Sequence, residues 1–166
     1  MTARVIVSAL MDIGLEKLSG GHKVNINASA SLLLSDLDIL HALPAKQIGI
    51  EILEAVPITD SIIKACQQLK EKGFTIILDD VVYAPHLKPL LKVADMIKVD
   101  LPRVSSLIEE VRTLRQYPVK LLAEKVETYT QFEQVKALNF EYVQGYFSAN
   151  HKLCKGEKSQ KTSLPF

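Results

Sequence analysis

GFTIILDDVVYAPHLKPLLKVADMIKVD, residues 73–100, decides the fold. Two short runs rich in Ile and Val, Thr75–Asp79 (TIILD) and Met96–Asp100 (MIKVD), flank a shorter segment, Ala84–Val93, that is marked by prolines and spaced for a helix. Runs of this length and composition are strands rather than buried helices. Strand, helix, strand is the signature of a parallel βα unit. Each run also ends on a carboxylate, which a strand buried on both faces should avoid.

The same pattern continues in both directions. Upstream, Lys23–Asn27 (KVNIN) and Ile48–Leu53 (IGIEIL) read as strands; downstream, Lys120–Glu124 (KLLAE) and Tyr142–Tyr146 (YVQGY) do so. Ser61–Lys72 repeats Ile62, Ile63, Cys66 and Leu69 at helical spacing, and Gly73 stops it. Val104–Gln116 and Thr130–Leu138 pass the same test, and Ala3–Leu18 is an amphipathic helix ending at Ser19-Gly20-Gly21. Six strands alternating with helices fit an open doubly wound sheet or a (β/α) barrel. Polar residues lie at or near the ends of successive strands: Asn27, Glu51, Asp79, Asp80, Lys98, Asp100, Glu124, Glu127 and Gln144. A barrel gathers such groups at one mouth, whereas an open sheet spreads them along a ridge. The expected fold is therefore α/β, a TIM-like (β/α) barrel.

Composition narrows the function. Hydrophobic residues make up 48% and charged residues 23%, the balance of a globular domain. Twenty Lys and Arg against 19 Asp and Glu leave a net charge of +1 with no basic stripe, which argues against DNA or RNA as a partner. No apolar run reaches the ~18 residues that a membrane span needs, and the N-terminus lacks a secretory pattern. Cys66 and Cys154 share no metal-ligand or disulfide spacing, so a reducing, cytoplasmic setting is expected. The four histidines, His22, His41, His86 and His151, have no metal spacing either and are expected at the surface or in loops.

The strand-end residues form an ordered series: Asn27 in VNINAS, Glu51 and Glu54 in EILE, Asp79-Asp80 in ILDD, Lys98 and Asp100 in KVD, Glu124 and Glu127 in AEKVET, and Gln144 in QGYF. In this order and on these strands, the series resembles the EAL domain family, named for its cyclic di-GMP phosphodiesterases, and is most similar to the EAL part of EAL–HDOD proteins. The resemblance runs from Asn27 to Phe147. It implies a site for Mg²⁺ or Mn²⁺ held by Asn27, Glu51, Asp79, Asp80 and Glu124. These are hard oxygen donors suited to such ions. Paired ions can activate a water and stabilise the attacking and leaving oxygens of a phosphodiester. It also implies catalytic roles for Lys98, Glu124 and Gln144, with Lys98 offsetting phosphate charge or helping to handle the attacking water, and Gln144 orienting that water or a neighbouring ligand. Glu54 is a ligand or a structural partner, and Glu127 is expected to bond to backbone near the mouth.

The chain departs from the family pattern in three places. The EAL strand and its metal-binding Glu are not found, so the expected barrel is incomplete, with about six strands and the first two missing. The family's DDFGTGYSS loop reads DDVVYAPHLKP, without its glycines. AEGVET reads AEKVET, with Lys125 in place of glycine. Residues 1–149 are expected to be the truncated EAL domain and 150–166 a polar, Lys-rich tail or linker. The expected function is a degenerate EAL module of cyclic di-GMP signalling, binding the dinucleotide or a protein, with vestigial catalytic residues and no hydrolysis. The alternative is an active metal-dependent phosphodiesterase releasing linear pGpG. Open strand edges lead to an expectation of self-association, and a fragment of a longer EAL–HDOD protein is the competing reading.

Overall fold

Apolar strands and amphipathic helices alternate along the chain in a computed structural model that describes residues 23–145 and the backbone of Leu164 and Pro165. The chain falls into two compact units: one runs to Asp79 and takes in Ala84–Asp95, and the other comprises Asp80–Tyr83 and the chain from Met96.

In the first unit β1 (Val24–Ala28), β2 (Ile48–Ile52) and β3 (Thr75–Leu78) pair in parallel, with Asn27 opposite Glu51 and Glu51 opposite Ile77. Side chains alternate across a strand. One face therefore carries Ile26, Ile48, Ile50, Ile52, Ile76 and Leu78, all buried. The other carries Asn25, Asn27, Gly49 and Glu51. Helices α1 (Ala30–Ser35), α2 (Leu37–His41), α3 (Asp60–Glu71) and α4 (Lys88–Leu91) complete the unit. α3 packs against β3 and α1. Its start is fixed by Thr59, whose hydroxyl accepts from the Ile62 N–H at 3.3 Å, and by Asp60 in the first turn. Its buried stripe is Ile62, Ala65, Cys66 and Leu69. Gly73, at φ 98°, ends it in a conformation that only glycine adopts freely.

In the second unit β4 (Met96–Asp100), β5 (Lys120–Glu124) and β6 (Tyr142–Val143) pair in parallel, and β7 (Leu164–Pro165) adds antiparallel to β6. Ile97, Val99, Leu121, Ala123 and Val143 are buried on one face. Lys98, Asp100 and Glu124 point to the other. Between the strands lie α5 (Leu107–Leu114) and α6 (Tyr129–Ala137); α6 opens on a capping box between Thr128 and Gln131. After α5, Arg115 pairs with Glu141 at 2.7 Å, while Glu141 also accepts from the Leu121 N–H at 2.7 Å. Burial alone would push the Glu141 carboxyl up, but Arg115 and the Leu121 N–H outweigh it and hold it below the usual range.

Several expected elements differ. The strand expected over Tyr142–Tyr146 is only two residues long, because the Gln144 carbonyl turns to accept from the Val126 N–H at 3.2 Å. The helix expected over Ala84–Val93 is a 3₁₀ turn, Pro85–Leu87, leading into the one-turn α4. Pro85 and Pro89 cannot donate, so no longer ladder forms there. The 3₁₀ turn Leu101–Arg103 delays α5 to Leu107 rather than Val104. Helices α1 and α2 were not anticipated; the Ser29 hydroxyl starts α1 by accepting from the Leu32 N–H. His41, expected at the surface or in a loop, is partly buried in the last turn of α2. The expected helix Ala3–Leu18, Tyr146 of the last motif, Cys154 and most of the expected tail lie outside the described residues. Among the described residues no helix is long and apolar enough to cross a membrane.

Candidate functional site

The polar face of the first unit begins at β1. Asn25 and Asn27, two residues apart, lie on the same side of the strand, and both are exposed. Glu51, directly opposite Asn27, is buried and accepts a hydrogen bond from Asn25 Nδ2 at 2.8 Å. Glycine at position 49 leaves room for that amide, since a Cβ there would collide with Asn25 Oδ1. Asn25 thus orients the expected ligand Glu51. It was missed in the sequence because the motif match fell on Asn27, although the two share strand parity. Asp79 follows β3, its N–H donating to the Ile52 carbonyl at 3.0 Å. Glu54 is exposed beyond the end of β2.

In the second unit the strand register sets Asp100 opposite Glu124, with Lys98 one step back on the same face. Lys98, Asp100 and Glu124 are 8%, 1% and 9% exposed, a rare burial for three ionisable groups on adjacent strands. Lys98 Nζ lies 3.4 Å from Glu124 Oε1. A carboxylate oxygen of Asp80 comes within 4.8 Å of one from Glu124. Asp80 has a left-handed backbone, φ 54°, at the turn out of the ILDD motif, and the loop after it is tied back by Val81 N–H to the Lys98 carbonyl at 3.4 Å. Residues 81–83 of the glycine-free loop are thus held by that one backbone bond and by the Tyr83 N–H donating to the Glu110 carboxylate at 2.6 Å. Gln144 directly follows β6, its N–H donating to the Ala123 carbonyl at 2.8 Å beside Glu124. Glu127 is exposed, and its N–H donates to Gln131 at 2.8 Å.

Cations line this acidic face. Lys125 Nζ reaches Asp100 Oδ2 at 2.5 Å and stands 3.9 Å from Asp80 Oδ1. Arg103 approaches Asp80 Oδ2 at 3.6 Å. The hydrogen bond to Asp100 holds the Lys125 ammonium above the usual lysine range against its partial desolvation, with Asp100, Asp80 and Glu124 adding their charges. Three carboxylates, Asp80, Asp100 and Glu124, are therefore faced by three cations, Lys98, Arg103 and Lys125. The oxygen donors suit a hard divalent ion, and Asp100 Oδ1 is buried without a hydrogen-bond partner among the described residues. The charge of those donors is already offset from within the chain.

Residues 1–151 match the family model described as EAL domain. The chain is 34% identical over 165 residues to the uncharacterised protein YuxH of Bacillus subtilis, a match covering 93% of this chain and 39% of YuxH. It is 31% identical over 158 residues to the cyclic di-GMP phosphodiesterase CdgJ of Vibrio cholerae, covering 93% of this chain and 36% of CdgJ. The chain thus spans about two fifths of the length of these relatives. Among solved structures, PaMucR phosphodiesterase in complex with c-di-GMP aligns with a TM-score of 0.66 and 26% identity, covering 86% of this chain and 68% of that one.

Proposed function

The chain belongs to the EAL domain family, and from that premise we propose that it is a cyclic di-GMP-binding module that does not hydrolyse its ligand. Its fold is α/β, of the TIM-like EAL type, and its relationship is to cyclic di-GMP phosphodiesterases. One observation carries the reading: the acidic face of the second unit is matched, charge for charge, by Lys98, Arg103 and Lys125. Those cations suit a ligand with two phosphodiester charges. The same cations oppose the dense positive charge of a catalytic metal pair.

A divalent ion, Mg²⁺ or Mn²⁺, would supply water activation and charge stabilisation when bound. In the second unit Asp80 and Glu124, with carboxylate oxygens within 4.8 Å of one another, would be donors for it. The ion pair of Lys98 with Glu124 at 3.4 Å supports a role for Lys98 in offsetting phosphate charge, and the position of Gln144 directly after β6 supports a polar role for it near Glu124. The test is titration of the chain with cyclic di-GMP by calorimetry, with and without Mn²⁺, and chromatography of the reaction for pGpG. Saturable binding with no pGpG is expected. Turnover abolished by Asp79→Ala would assign the chain to the active phosphodiesterases instead. Absence of binding would leave the protein-interaction reading.

A further inference from the structure

Lys125 has its backbone in the left-handed region, φ 56°, where a long side chain is disfavoured and glycine is at ease. Such a residue persists where its surroundings hold it. Here the holding contact is at the far end of the side chain, where Nζ meets Asp100 Oδ2 at 2.5 Å and lies 3.9 Å from Asp80 Oδ1. Asp100 is 1% exposed, and its other oxygen is buried with no hydrogen-bond partner among the described residues. A buried carboxylate with one open acceptor needs a cation close by. A divalent ion and the lysine ammonium answer the same need. Like charges a few ångströms apart repel, so they do so in competition.

We propose that Lys125 is a tethered counter-cation that occupies the Asp80–Asp100 edge of the acidic cluster, competes there with a divalent metal ion, and so sets the metal affinity of this domain. The Lys125 side chain is 53% exposed, so solvent can take up its ammonium when an ion displaces it, and metal is weakened rather than excluded. The proposal deepens the non-hydrolytic reading, since it names the residue that keeps the metal weak, and rests on it.

The test uses the full chain and three variants, Lys125→Gly, Lys125→Gln and Lys125→Arg. Mn²⁺ affinity is measured by electron paramagnetic resonance of the free ion, cyclic di-GMP affinity by calorimetry, and the melting temperature as a control for folding. Removing the charge is expected to tighten Mn²⁺ binding by about tenfold or more in both the Gly and the Gln variants, with Lys125→Arg staying near the parent. The Gln variant separates charge from backbone relief, because it keeps the unfavourable left-handed side chain. Equal Mn²⁺ affinity in all four proteins would overturn the proposal while cyclic di-GMP binding without turnover upheld the functional reading. A lower melting temperature in Lys125→Gln with unchanged Mn²⁺ affinity would overturn it too, reducing Lys125 to a structural ion pair. Failure of all four proteins to bind either Mn²⁺ or cyclic di-GMP would overturn both.

Discussion

Single residues decide how closely the strand ends approach one another. At Gly145, in the last motif, a Cβ would come within 2.5 Å of the Val126 backbone nitrogen and 2.7 Å of its carbonyl carbon. Backbone cannot step aside as a flexible side chain can, so Gly145→Ala is expected to destabilise the domain by about 1–3 kcal/mol, the usual range for overpacking. Urea unfolding of the variant checks this, and an unchanged midpoint would contradict the close approach. Some of this was legible beforehand. Lys98 announced itself as a charge inside an apolar run, and a buried lysine on a strand end is rare enough to mark a site. Asn25 did not, because an exposed asparagine in a strand is ordinary and only the bond to Glu51 gives it a role. Lys125 was readable as a departure from a glycine, but its reach to Asp100 depends on a backbone angle that no spacing rule supplies.

At the level of elements, periodicity located strands and helices well and their ends less well. β4 and β5 have the expected bounds because their apolar runs are bracketed by charge. β6 stops short because the Gln144 carbonyl turns to the Val126 N–H and Gly145 packs against Val126, while only the Gln144 N–H still bonds to Ala123 of β5. Short helices such as α1 and α2 present too few turns for a repeat to show. The end of α5 carries a test of its own. Arg115 and the Leu121 N–H depress the Glu141 carboxyl below its unfolded value of about 4.3. A depressed carboxyl binds fewer protons in the folded state, so its contribution is present above that value and is lost as pH falls through the folded one. Arg115→Met should therefore flatten the decline in urea midpoint between about pH 6 and pH 3 relative to the parent. Parallel acid limbs in the two proteins would contradict it. The effect is modest, since both side chains are about one third exposed.

For the molecule as a whole, the order of polar strand ends pointed to the barrel class and to the EAL family, and the family match over residues 1–151 agrees with both. Charge balance around the acids was less legible, because it depends on which side chains meet in space rather than on motif order. The motif series retains the acids and Lys98, while Lys125 and Arg103 alter the field around them. Self-association remains a separate expectation of the sequence. Sedimentation at tens of micromolar tests it, a dimer or larger species being expected and a monomer contradicting it. The central claim is that this domain binds cyclic di-GMP without cleaving it. Its most direct test is a single incubation with cyclic di-GMP and Mn²⁺, followed by calorimetric and chromatographic readouts. Saturable binding with the dinucleotide recovered intact is the predicted result; accumulation of pGpG that disappears in Asp79→Ala would contradict it.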